Sequence, residues 1–262
     1  MDYQKIVDLV HAAKEIIFDP AKTHDVAEKG RADYVTGADR GVQNFLETEL
    51  KVQTPDITLF AEEKVNERPD PLKSYWILDP IDGTTNLIHD YRFSAVSLAL
   101  YENGEVTFGV VYNPFTEETY IAERGKGSFL NGMPIHPSGC GALRDALVSF
   151  GASPYEKQFA SVLFPLYQRI YGQIADFRRG GSAELELCYV ACGRLDAYFE
   201  ADLKPWDYAA GQLIVREAGA MSTDFTGQTL PILTNANILA AAPGIYESMQ
   251  KELKDVIIPA AR

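Results

Sequence analysis

At 262 residues, with 46% hydrophobic and 23% charged side chains, the chain has an ordinary globular composition and room for one large core or two fused halves. Its 24 basic against 37 acidic residues leave a net charge of −13, which excludes the basic surface that non-specific nucleic-acid binding needs. No apolar run approaches the roughly 20 residues of a membrane span, and the acidic, amphipathic N-terminus lacks the build of a secretory signal.

Three cysteines, Cys140, Cys188 and Cys192, form no paired pattern, so a reducing, cytoplasmic setting is expected. Cys188 and Cys192 are four apart on an expected helix and read as small buried hydrophobes rather than as ligands or a disulfide.

In chain order, residues 2–18 put Ile6, Leu9, Val10, Ala13, Ile16 and Ile17 on one helical face, and Pro20 stops that helix. The polar stretch 19–37, with Glu28, Lys29, Gly30, Arg31 and Asp33, reads as a mobile loop. A helix over about 39–51 buries Val42, Phe45 and Leu46. Two buried strands follow at 57–61 and 75–79, then a hairpin of 93–101 and 105–112 turning at Asn103-Gly104. Shorter strands are expected at 118–123, 127–130 and 145–150. Beyond them come a helix over 155–172, kinked or ended by Pro165, a strand at 174–179, a helix over 182–192 and a strand at 194–200. A helix at 206–218, strands near 220–224, 229–233 and 237–242, and a closing helix from 244 to about 255 complete the chain. This alternation predicts a layered α/β protein, and the hairpin makes its sheets mixed and partly antiparallel.

Acidic residues recur where these elements end. Asp79-Pro-Ile-Asp-Gly-Thr-Thr-Asn86 closes the strand YWIL. Asp79 and Asp82 can point into one crevice with the Ile81 carbonyl between them, an oxygen set suited to a hard cation such as Mg²⁺. The amides of Gly83, Thr84 and Thr85, at an expected helix start, suit a phosphate. Asp82 could equally be a simple helix cap, and Asp207 a first-turn dipole partner. Glu62, at the end of the strand ITLFA, and Asp207, in WDYAAG, tip the balance toward a shared acidic site.

The segments DPIDGTTN and, about 120 residues on, WDYAAGQLIVREAGA resemble the paired signature of the inositol monophosphatase family, and the likeness runs from GRADYVTGAD through AEE and GSA to DAYFE. The resemblance implies an αβαβα sandwich forming one catalytic unit over 1–262, with two closely packed halves at about 1–150 and 151–262. It implies two to three Mg²⁺ ions held by Glu62, Asp79, the Ile81 carbonyl, Asp82 and Asp207, with Glu62, Thr84 and Asp39 as catalytic residues. Asp82, Gly83, Thr84, Gly181, Ser182, Ala183, Glu200 and Asp207 would contact substrate. The implied reaction is hydrolysis of inositol monophosphate or a related small polyol or sugar phosphate, lithium-sensitive, in a cytoplasmic homodimer with no nucleic-acid or membrane partner. Sister activities on fructose 1,6-bisphosphate or 3′(2′),5′-bisphosphate nucleotides, and a non-catalytic role on the transcription machinery, are the alternatives. His89 reads as structural or supporting. Two departures stand out: Glu184 occupies a usually small apolar position and would add charge beside the substrate pocket, and the loop before Asp39 has Glu28-Lys29 instead of a lysine in the usual register.

Overall fold

A computed structural model describes residues 1–30 and 32–259. Three apolar layers alternate with two sheets. Helices α1 (Tyr3–Ala12), α2 (Lys14–Ile17) and α4 (Gly37–Gln53) cover the outer face of a seven-stranded sheet. That sheet runs β3 (Thr58–Ala61), β4 (Tyr75–Asp82), β5 (Ala95–Glu102), β6 (Glu105–Asn113), β7 (Glu118–Glu123), β8 (Ser128–Leu130) and β9 (Met133–Pro134). Helices α7 (Ala183–Ala191) and α8 (Ala209–Glu217) lie between it and a second sheet, whose order is β11 (Asp176–Arg178), β10 (Leu147–Phe150), β12 (Ala197–Leu203), β14 (Ala236–Ala241) and β13 (Met221–Asp224). Helices α6 (Ala160–Tyr171) and α9 (Tyr246–Leu253) close the far face. This is the expected αβαβα sandwich.

Strand alternation explains the layering, because successive side chains leave opposite faces of a sheet. On β4, Trp76 and Leu78 enter the outer core while Tyr75 and Ile77 enter the central one. On β12, Ala197 and Phe199 face α6 and α9, whereas Tyr198 faces α7 and α8. Buried on both faces, such strands read as solid apolar runs. Both sheets mix directions: β3 is parallel to β4, β5 and β6 form the antiparallel hairpin, and β10 is parallel to β12.

Several sequence expectations need correction. The stretch 19–37 is ordered as a short helix, α3 (Pro20–Thr23), and an antiparallel hairpin of β1 (Val26–Gly30) and β2 (Asp33–Thr36). Its Arg31 lies outside the described residues. Pro20 starts α3 behind an Asp19 cap, where its missing N–H costs nothing. The first helix is interrupted at Ala13. Residues 157–159 form a 3₁₀ turn before α6, and Pro165 sits inside α6 without ending it. No strand forms at 229–233: Leu230, Ile232 and Leu233 are apolar because they fill the central core from an irregular segment.

Candidate active site

The first two acidic residues come from one irregularity in β4. Asp79 faces Ser97 and Asp82 faces Ala95, so three steps on β4 match two on β5, and this bulge re-aims the strand end. Asp79 Oδ1 accepts the Ile81 N–H at 2.9 Å. The chain then turns through Gly83, whose φ of +91° favours glycine and whose added Cβ would press on the Phe93 carbonyl at 3.0 Å. A short helix, α5 (Thr84–Ile88), follows, and its first residues have N–H groups without intrahelical acceptors.

Other elements close around this turn. Asp39 caps α4 reciprocally with Thr36 and is fully buried. Its Oδ1 accepts from Thr84 Oγ1 at 2.9 Å, and that hydroxyl also lies 3.1 Å from the Ile81 carbonyl. Glu62 follows β3, its N–H bonded to Leu78 O. Asp82 receives Ser182 Oγ at 2.6 Å and the amides of Ala183 and Glu184 at 3.1 and 2.7 Å, so it joins α7 to β4. Asp207 lies in a 3₁₀ turn after β12 and accepts the Lys204 N–H at 2.7 Å.

A cavity of about 330 Å³ brings together Asp82, Gly83, Thr84, Gly181, Ser182, Ala183, Glu200 and Asp207, all eight of the expected substrate contacts. A second hollow of about 360 Å³ holds Lys29, Glu62, Tyr155, Glu200 and Asp207. Asp79 is buried beneath, lining neither. Two expected contacts have internal duties too. Ser182 spends its hydroxyl on Asp82, and Glu200 accepts the Tyr198 hydroxyl and the Ser153 amide.

Electrostatics tie the four carboxylates into one cluster. Burial raises Asp79 well above the ordinary carboxylate range, and Glu62, Asp82 and Asp207 push it further. Asp207 is raised by burial and then by Glu62 and Asp82. Burial lifts Glu62 to about 7 against the pull of Lys29, and Asp82 to about 6 against its Ser182 and α7 donors. As they stand, no three His, Cys, Asp or Glu side chains among the described residues enclose a point that could hold an ion. Lys29, Ser182 and four backbone amides occupy their oxygens instead. Buried, mutually repelling, all-oxygen donors are nonetheless what hard divalent ions neutralise, so the donor set fits Mg²⁺.

Lys29 corrects one expected departure. Glu28 pairs with Tyr34 and Gly30 with Asp33, leaving Lys29 as the extra residue of a bulge. The bulge aims its ammonium at Glu62 and Glu63, at 3.0 and 2.6 Å. Glu184 corrects the other. It faces away from the cavity, fully buried, accepting Ser97 Oγ at 2.9 Å and the amides of Ala210 and Gly211 at the start of α8. Burial and Asp82 raise its carboxyl to about 8, and it lines no part of the substrate cavity. His89 is exposed at the end of α5, and all three cysteines are free. Sequence reasoning missed Arg179, Glu186, Tyr34 and Tyr155 on the cavity wall. Only Arg179 had a signal, standing two residues before the GSA segment.

The family model for the inositol monophosphatase family matches residues 3–262. An inositol-1-monophosphatase of Rhizobium meliloti is 38% identical over 92% of this chain and 88% of its own length. The Nus factor SuhB of Escherichia coli K12 is 36% identical over 91% of this chain and 89% of its own. The solved Thermotoga maritima IMPase superposes with a TM-score of 0.87 at 34% identity, covering 98% of each chain.

Proposed function

The chain belongs to the inositol monophosphatase family, and on that premise we propose that it is a magnesium-dependent hydrolase of inositol monophosphate or a related small polyol or sugar phosphate. One observation carries this reading: the buried carboxylates of Asp79 and Asp82, the half-buried ones of Glu62 and Asp207, and the Asp39–Thr84 hydrogen bond gather beside the Gly83 turn. The family is generally metal-dependent, and Glu62, Asp79, Asp82, Asp207 and the Ile81 carbonyl would hold the magnesium. When bound, the ions supply neutralisation of phosphoryl charge and a nucleophile at neutral pH.

The remaining roles fall to the chain itself. The N–H groups of Gly83, Thr84 and Thr85 bind the phosphate oxygens. Thr84 donates its own proton to Asp39, which leaves its Oγ1 lone pairs to accept a hydrogen from the attacking water and aim it along the line of displacement. Gly181, Ser182 and Ala183 wall the alcohol portion, and Glu200 offers it a carboxylate oxygen. A binding role on the transcription machinery is the rival, and the complete acidic set supports hydrolysis over it.

Phosphate release from inositol 1-phosphate tests the reading. Turnover should require Mg²⁺, vanish with chelator, and vanish in Asp79→Asn at any Mg²⁺ concentration. Because relief of repulsion offsets the lost group, the chelated variant should melt no lower than wild type. Turnover by Asp79→Asn at the wild-type rate in saturating Mg²⁺ would sink the assignment.

A further inference from the structure

One buried carboxylate touches neither substrate cavity nor reacting atoms, yet it lies directly behind the acidic cluster. Glu184 is fully buried in the first turn of α7 and lines neither hollow. Its backbone and its side chain serve different members of the cluster. The N–H donates to Asp82 Oδ2 at 2.7 Å. The carboxylate accepts the N–H groups of Ala210 and Gly211, in the first turn of α8, one on each oxygen. Asp207 stands two residues before that helix begins.

A third contact brings in Asp79. Ser97 Oγ lies 2.9 Å from Glu184 Oε1 and 3.4 Å from the Trp206 carbonyl, in the peptide that joins Trp206 to Asp207. Ser97 faces Asp79 across the β4–β5 ladder. Asp79 and Asp82 come from the first sheet, whereas Asp207 comes from the turn after β12 in the second. The Glu184–Ser97 pair therefore sits at the joint between the two contributions. That joint is tight. A Cβ on Gly211 would collide with the Glu184 carboxylate, and one on Gly109 of β6 would press on Ala210 Cα at 3.1 Å, so the start of α8 is wedged between α7 and the sheet.

A cap alone would not need this arrangement. The free N–H groups at a helix start are ordinarily met by the N-cap side chain, which rides with its own helix. Tyr208, at that position of α8, supplies no such bond. The acceptor comes instead from a neighbouring helix whose N–H is bonded to Asp82, so capping α8 also sets its distance from Asp82. We propose that Glu184, with Ser97, is a positioning residue for the metal ions: it holds Asp207 at a fixed separation from Asp79 and Asp82, so that ligands from both sheets can share an ion. This rests on the magnesium-binding part of the reading above and deepens it. Groups that orient ligands from behind set metal affinity by roughly tenfold to a hundredfold.

The test measures Mg²⁺ binding by calorimetry, and phosphate release from inositol 1-phosphate against Mg²⁺ concentration, in wild type, Glu184→Ala, Glu184→Gln and Ser97→Ala. Ser128→Ala is the control, because it removes the hydroxyl that holds the Ile214 carbonyl farther along α8. In Glu184→Ala the Mg²⁺ Kd and the half-maximal Mg²⁺ concentration should both rise roughly tenfold or more. Saturating Mg²⁺ should restore most of kcat, with the substrate KM nearly constant. Ser97→Ala removes no charge and should shift both Mg²⁺ values the same way by roughly threefold. Glu184→Gln, which keeps an oxygen for one amide, should fall between wild type and Glu184→Ala. Ser128→Ala should melt lower than wild type with its isotherm in place. An unmoved isotherm in Glu184→Ala, or in Glu184→Gln should the alanine variant not fold, overturns the proposal and leaves Glu184 a cap. A shift in the Glu184 variants without one in Ser97→Ala makes the effect one of charge and overturns it too, as does an equal shift in Ser128→Ala. A wild type that binds no Mg²⁺ overturns the metal-dependent reading and this proposal with it. One that binds Mg²⁺ but releases no phosphate overturns the phosphatase reading alone, since the isotherms still decide the role of Glu184.

Discussion

Lys29 Nζ stands 3.0 Å from Glu62 Oε1, the ammonium of an exposed hairpin reaching the carboxylate that ends β3. Burial works against the charged lysine, but Glu62 and Glu63 outweigh it and hold its pKa above the ordinary value. In the absence of divalent ions, Lys29 is the cation that Glu62 has. A metal ion drawn to Glu62 must share or displace it.

Lys29→Gln should therefore tighten Mg²⁺ binding, measured by calorimetry, by roughly threefold to fivefold, in keeping with a partly exposed pair worth at most ~1 kcal/mol. The chelated variant should melt lower than wild type, since Glu62, Glu63 and Asp33 lose their shared counter-charge. An unchanged Mg²⁺ isotherm would show that the ammonium does not compete with the metal.

Thr84→Val keeps the shape of the α5 start and removes the hydroxyl between Asp39 and the Ile81 carbonyl. If that hydroxyl aims the attacking water, kcat should fall by about 10²-fold or more, with KM nearly constant. A raised KM at normal kcat would instead make Thr84 a simple phosphate contact.

Glu184 offers a stability test away from the chemistry. Glu184→Ala leaves the buried amides of Ala210 and Gly211 without their acceptor and should cost about 1–3 kcal/mol, read from denaturant unfolding. Glu184→Gln keeps an oxygen for one of the two amides, which bond to different carboxylate oxygens, and should lose less. Equal losses would mean that packing, not the cap, is what the side chain provides.

The layers were legible because β4, β5 and β6 are buried on both faces and read as solid apolar runs, and because Asn103-Gly104 announces its own hairpin. The carboxylates were legible because each stands at or near the end of an element, Asp79 three residues inside the end of β4. What escaped notice was fixed by tertiary context. The β1 strand is exposed throughout and buries no alternating face, so it carries no strand pattern. Lys29 meets Glu62 across 33 positions only because a bulge turns it there. Glu184 looked like a pocket charge because its helix starts in the pocket, but Glu186, two residues on, is the one that faces it. Ile232 sits in an irregular segment at a φ of +55°, where apolar composition reports packing and says nothing of strand pairing.

Glu186 gives the protein a pH dependence of definite sign. Burial raises its carboxyl from 4.5 to about 7, partly offset by the Gly180 amide and the Ser149 hydroxyl, while Glu200 and Asp82 add to the rise. A raised folded-state pKa means that the native protein holds the proton more tightly than the unfolded chain does. Its contribution to stability is thus complete below about pH 4.5, declines as pH climbs, and is gone once pH passes about 7. In chelator, where the acidic cluster shifts in the same direction, the wild-type melting temperature should fall between pH 5 and about 8. Glu186→Gln carries no titratable proton and keeps an oxygen for the Gly180 N–H, so its curve should be flatter over that window. The difference between the two curves isolates Glu186 from the rest of the cluster, because the cluster is common to both. Parallel curves would show that Glu186 is ionised in the native state throughout, with its charge balanced by a neighbour, and Arg179 would be the first group to test for that part.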